Sequence, residues 1–147
     1  MRAAAVLLAG SMALAACASD EPTSGGSGEG GGGTAAEELR VGLAYDTGGR
    51  GDRSFNDSAY AGASAAVEAL GGELQEFSPN EDASNRGEGL AGLAEQGFDP
   101  VIAVGFNYDD VIAEVAPQFP DTTFAQVDGS NADGAKGANV TGLVFAE

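Results

Sequence analysis

Histidine and tryptophan are absent from the 147 residues, cysteine occurs once, and six basic residues stand against 23 acidic ones. Without histidine, and with a single thiol, the chain lacks the commonest general bases, nucleophiles and metal ligands. One cysteine forms no intramolecular disulfide and, alone, no metal site. A net charge of −17 argues against nucleic acid and against anionic lipid surfaces, both of which select basic patches. Neither a Gly-x-Ser-x-Gly elbow nor a Gly-x-x-x-x-Gly-Lys phosphate loop occurs. Carboxylate chemistry is what remains, for instance a nucleoside hydrolase using Asp46 and Asp128 to hold a metal and activate water. A carboxylate cluster with metal-ligand spacing is missing, so the chain is read as a non-enzyme with no cofactor and no metal.

What is present begins with a targeting segment. Arg2 gives a minimal positive start, and Ala3 to Leu14 form an apolar run too short to span a bilayer comfortably. It closes on Leu14-Ala15-Ala16-Cys17, which has the form of a bacterial lipobox. Residues 1–16 are therefore expected to be a lipoprotein signal peptide, with Cys17 lipidated and anchoring the chain on the extracytoplasmic face of the cell membrane. Acyl chains contribute roughly 0.8 kcal/mol per buried CH₂, so several of them anchor stably. Residues 17–37 are rich in Gly and Ser and bury almost no apolar surface, which predicts a flexible tether. Its root-mean-square reach is about 25 Å. These glycines precede neither a helix nor a Gly-Lys-Ser/Thr, so a phosphate cradle is not expected there.

From residue 38 to 147 strand and helix patterns alternate. Val41–Tyr45, Glu73–Phe77, Val101–Val104, Thr123–Val127 and Val140–Phe145 read as strands. Asn56–Leu70 reads as a helix ended by Gly71-Gly72, with Phe55, Ala59, Ala63, Ala66 and Leu70 on its inner face. Asn85 with Glu88 resembles a capping pair for a second helix stopped at Gly97. Asp109 or Asp110 is expected to cap a third helix with Val111, Ile112, Val115 and Phe119 inward, shortened by Pro117. The first three strand starts recur every ~25–33 residues, the scale of successive βαβ units. The fold class predicted is α/β, a doubly wound parallel sheet.

The most informative stretch joins the first strand to the first helix: Asp46-Thr-Gly-Gly49, then Asp52-Arg-Ser-Phe-Asn56. Ligands in open α/β sheets bind where strands end and helices begin. An aspartate at the strand end, with an aromatic and an amide at the helix start, suits a small molecule carrying hydroxyls and a flat ring. Arg50-Gly51-Asp52 spells an adhesion tripeptide but belongs to this turn. Residues 128–134 are similarly read as turn chemistry, because their oxygens miss the EF-hand spacing.

The same stretch resembles the signature of the basic-membrane-protein family. These are lipoprotein substrate-binding proteins of ABC importers, similar to the purine-nucleoside receptor. Val101-Ile-Ala-Val-Gly-Phe106, Gln118-Phe-Pro-Asp121 and Phe124-Ala-Gln-Val-Asp128 fit the same pattern, so the resemblance runs from about Leu39 to the last residue. It implies one lobe of a type I periplasmic-binding-protein fold, with the second lobe absent from this sequence, as in a fragment or an incomplete receptor.

The candidate ligand-binding residues follow. Asp46 is either an acceptor for a ligand hydroxyl or ring N–H or an Asx-turn residue. Phe55 either stacks on a planar ring, as the resemblance implies, or packs at the helix entrance. Asn56 contacts a base edge or caps the helix. Asp128 ends the fourth strand and matches a family pocket aspartate. Phe106 and Asn107 follow the third strand and are expected to line the same crevice, with core packing the alternative for Phe106. The expected function is capture of a purine nucleoside and its delivery to an ABC permease by closure of two lobes. The alternatives are a binder of another small solute such as a sugar, the carboxylate-dependent hydrolase, and an orphan single lobe.

Overall fold

Period-two alternation along the strands sets the layers, because successive side chains point to opposite faces. In the computed structural model, which describes residues 38–146, the strands are β1 (Leu39–Ala44), β2 (Gly72–Phe77), β3 (Val101–Val104), β4 (Phe124–Val127) and β5 (Val140–Leu143). They form one parallel sheet in the order β2-β1-β3-β4-β5. The expected signal peptide, Cys17 and the expected tether lie outside the described residues.

Val41, Leu43 and Tyr45, next to Ile102 and Val104, turn to one face. Helix α1 (Phe55–Leu70) covers them with Ala59, Tyr60, Ala63 and Val67. Ala44, Val101, Ala103 and Phe124 turn to the other face, under α2 (Arg86–Glu95) and α3 (Asp109–Val115). Leu43, Leu90, Val101, Ile112 and Phe124 are fully buried, each contributing about 1.5–3 kcal/mol over an exposed position. Gly42 allows this closeness: a Cβ there would lie 3.2 Å from Leu93 and from Phe98.

The doubly wound parallel sheet expected from the sequence is thus the observed fold, with differences in detail. Phe55 and Leu70 were expected on the inner face of α1 but are 45% and 76% exposed. The buried stripe instead runs through Asn56, Ala59, Tyr60, Ala63 and Val67. The Asn85–Glu88 capping pair does not form. Asn85 sits at φ −97°, ψ 15°, not in the extended region an N-cap needs, and its Oδ1 accepts the Asn80 N–H instead. Asp109 lies inside α3 rather than capping it, because a 3₁₀ turn over Phe106–Tyr108 already leads into the helix. Pro117 falls in the 3₁₀ turn Ala116–Gln118 where α3 ends.

The connection between β4 and β5 departs from the alternation. Residues 128–139 cross through turns held by side chains. Asn131 donates to the carbonyls of Gly137 and Val140 and accepts the Lys136 N–H. Asn139 donates to the carbonyls of Ala116, Phe119 and Thr122. On the α1 side of the sheet, Leu143 of β5 is 47% exposed.

Candidate functional site

In this strand order β1 lies between β2 and β3, so the chain leaves β1 toward one side and β3 toward the other. That reversal opens a crevice at the carboxyl ends of β1 and β3, the place where open α/β sheets bind ligands. Asp46 follows β1 and Gly105, Phe106 and Asn107 follow β3.

The loop after β1 is built by carboxylates. Asp52 accepts the N–H groups of Ser54, Asn56 and Asp57 at 2.9–3.1 Å, satisfying the free donors at the start of α1. Burial opposes its charge, but these backbone donors outweigh it and hold the Asp52 carboxyl below its ordinary range. Asp57 accepts from Gly51 and Arg53 in turn. The adhesion-like tripeptide is therefore internal to this loop, with its aspartate committed to the helix. Asn56, 2% exposed, accepts the Asp46 N–H through Oδ1 at 3.0 Å and donates to the Gly49 carbonyl at 2.9 Å.

Asp46 is held from three directions. Its Oδ1 accepts the Thr47 N–H at 2.7 Å and the Arg86 guanidinium at 2.6 Å. Asn107 donates to its Oδ2 at 3.1 Å. Partial burial pushes the carboxyl up, yet the bonds from Thr47, Asn107 and Arg86 prevail and leave it below the usual range. Arg86 was not singled out in the sequence. It comes from the first residue of α2, forty positions from Asp46, also donates to Thr47 Oγ1, and lies with its guanidinium 5.4 Å from the ring centre of Tyr108. Tyr108 is fully buried and donates its hydroxyl to the Tyr45 carbonyl at 2.8 Å. Burial pushes its phenol well above the ordinary range.

A cavity of about 170 Å³ is lined by Asp46, Thr47, Asp52, Phe55, Asn56, Val104, Gly105, Phe106 and Asp128. The structure thus places five of the six candidates on one cavity and ties the sixth, Asn107, to it through Asp46. Asp128 stands just past β4 at φ 60°, a left-handed conformation that aspartate tolerates better than most residues. Phe55 and Phe106 present exposed rings, 45% and 63% accessible. Phe55 also walls an apolar groove of about 410 Å³ with Ser54, Ser58, Ala59, Val127, Leu143 and Phe145, and Phe145 meets it edge-on at 5.8 Å between ring centres. The cavity is smaller than the roughly 300–1,000 Å³ of a small-molecule pocket.

Behind Gly105 a second polar group fixes the β3 end. Gln126, fully buried, donates to the Gly105 carbonyl at 3.1 Å and to Asp109 at 2.8 Å. Lys136, the sole lysine of the sequence, donates to Gln126 Oε1 at 2.8 Å and pairs with Asp109. That pairing holds the Asp109 carboxyl low. Chemically, the crevice offers carboxylate acceptors beside exposed aromatic rings. Among the described residues, no group of three or more acidic or thiol side chains is arranged to hold a metal ion, and no helix is long and apolar enough to cross a membrane.

Comparisons with known proteins agree with this fold. Residues 40–147 match the Bmp family, described as ABC transporter substrate-binding protein PnrA-like. An uncharacterised lipoprotein of Pyrococcus abyssi is 38% identical over 116 residues, 78% of this chain and 28% of its own length. Basic membrane protein A of Borreliella burgdorferi is 33% identical over 112 residues, 75% of this chain and 32% of that protein. A solved solute-binding protein of an ABC transporter system from Aeropyrum pernix superposes with a TM-score of 0.62 at 31% identity, covering 73% of this chain and 28% of that one. The chain therefore spans about 30% of the length of the relatives it matches. With the signature at the β1–α1 turn and the parallel sheet both in place, the chain belongs to the Bmp family of PnrA-like ABC transporter substrate-binding proteins.

Proposed function

We propose that this chain forms one wall of the solute site of an ABC importer's receptor, and that the solute is a purine nucleoside passed on to the permease. The observation that carries the reading is the shared cavity, in which the carboxylates of Asp46 and Asp128 stand beside the exposed rings of Phe55 and Phe106. Ribose hydroxyls donate to carboxylates, and a purine offers a flat face to an aromatic ring. Neither role requires catalysis, and transport energy comes from the importer's own ATPase. Lipidation at Cys17, on the extracytoplasmic face, would keep the domain near its permease and raise its local concentration there. Metabolic labelling with a palmitate analogue, lost in Cys17→Ser, tests the anchor.

The test of ligand class is titration calorimetry of the receptor with inosine, adenosine, ribose and glucose. Nucleosides binding well above the sugars supports the proposal. Sugars binding equally or better overturns the nucleoside part of it. Released base on incubation with inosine, with or without divalent metal, would instead reveal a hydrolase. Phe55→Ala gives the cleanest variant, because the ring is half exposed and its loss removes little core packing. Stacking on a base is worth about 1–3 kcal/mol, or roughly five- to 150-fold in Kd.

A further inference from the structure

Arg86 lies outside the cavity lining yet controls a residue within it. Its Nη2 bonds both Asp46 Oδ1 and Thr47 Oγ1, at 2.6 and 2.9 Å, while its side chain is only 15% exposed. Its Nε is the buried side-chain nitrogen left without a hydrogen-bond partner among the described residues. A buried donor without an acceptor is unfavourable. A methionine or leucine beside Tyr108 would pack without leaving any donor unmet, so packing alone does not explain an arginine. On the ligand side, Thr47 and Arg86 saturate Oδ1, whereas Oδ2 accepts from Asn107 alone at normal distance. Gly105 leaves that oxygen uncovered: a Cβ there would come within 2.8 Å of it.

We propose that Arg86 is a positioning residue for the solute site, clamping Oδ1 of Asp46 so that Oδ2 alone is offered to a donor on the solute. The proposal rests on the nucleoside reading for its ligand but not for its geometry. The guanidinium compensates one of the three carboxylates that line the cavity, those of Asp46, Asp52 and Asp128, and fixes the rotation of that carboxylate. A solute hydroxyl or ring N–H then meets an oriented acceptor instead of a rotating one. The charged and titratable groups facing Asp46 are Arg86 from α2, Tyr108 from the turn before α3, and Asp52 and Asp128 across the cavity. Asp109 is occupied by Lys136 and Gln126. Removing Arg86 leaves a partly buried carboxylate among acidic neighbours, which raises its titration midpoint.

Two readouts test this, one on the 147-residue chain and one on the receptor of which it forms a wall. Carbon-13 NMR of the Asp46 carboxyl through an acid titration needs no ligand. The midpoint is expected to rise in Arg86→Met and to return part of the way in Arg86→Lys, which keeps charge without the planar fork. Calorimetry with inosine as the probe is expected to give an affinity level between about pH 5 and 8 for the parent receptor. In Arg86→Met the affinity should fall as pH is lowered, because protonation removes the acceptor. If Arg86→Met fails to fold, Thr47→Val serves, since the exposed threonine holds the same guanidinium nitrogen; a smaller rise is expected. An unmoved Asp46 midpoint in the folded variants overturns the proposal, as does inosine affinity lowered equally at every pH. Absence of inosine binding in the parent receptor would sink the nucleoside reading instead, and the carboxyl titration would still decide the role of Arg86.

Discussion

The loop after β1 and the loop after β4 do the same job with different chemistry. Both carry the chain away from the carboxyl edge of the sheet, and both replace ladder hydrogen bonds with side-chain ones. The first relies on Asp52 and Asp57 accepting five backbone N–H groups. The second relies on Asn131 and Asn139, whose amides donate to five carbonyls. Carboxylates suit the first because α1 begins there and its free N–H groups want negative charge. The second has carbonyls to satisfy, which only donors can do. The difference teaches that a loop's polar residues are chosen by the backbone groups the neighbouring elements leave unpaired.

Several substitutions break or sharpen that contrast. The largest effect is expected from Asn56→Ala, which strands the Asp46 N–H and the Gly49 carbonyl at about 1–3 kcal/mol per unsatisfied group. A lowered urea midpoint with unchanged slope would register it; an unchanged midpoint would mean water replaces the amide. Lys136→Met comes next, at about 1–2 kcal/mol, since Asp109 is half exposed and water can take up part of its charge. Faster amide exchange should be confined to the β4–β5 loop and the Gly105 turn. Exchange spreading to α1 would contradict that separation.

The smallest effect is a difference in acid response. Asp46 and Asp52 titrate below their ordinary value of 3.8. Folding stability from a depressed carboxyl is fully present above the unfolded value and lost as pH falls through the folded one. Below about pH 3.8 the amides of Ser54, Asn56 and Asp57 should lose protection, while those held by Asn131 keep theirs. Asp52→Asn should abolish that dependence at these three amides. Equal loss in both loops would erase the distinction.

How much of this was legible in the sequence follows from what each signal measures. The strands were plain because Val101-Ile-Ala-Val104 is a short apolar run and Phe124-Ala-Gln-Val127 is apolar but for Gln126, each with turn residues beyond it. The cavity residues were legible for a related reason: Asp46, Phe106 and Asp128 each follow a strand, and parallel strands bring their ends to one edge. The phase of α1 was not. Its many alanines give little contrast around the helix, so a stripe through Phe55 and Leu70 looked as good as the true one through Tyr60 and Val67. Arg86 was hidden by its separation from Asp46 in sequence, since local patterns carry no information about pairs that distant. Scarcity was the one usable clue. In a chain with so few cations, each basic residue on a helix invites the question of which carboxylate it serves.

The sheet's uneven covering has a colloidal consequence. Beyond α1 the face carrying Val127 and Leu143 stays partly bare, and Phe55, Val144 and Phe145 add exposed apolar surface near it. Such a surface attracts its own kind, while a net charge of −17 repels it. Salt shifts that balance, because the Debye length shortens from about 30 Å at 0.01 M to about 8 Å at physiological strength. Dispersed at low salt and sticky at high salt, the chain would owe its solubility to electrostatic repulsion more than to a fully wetted surface.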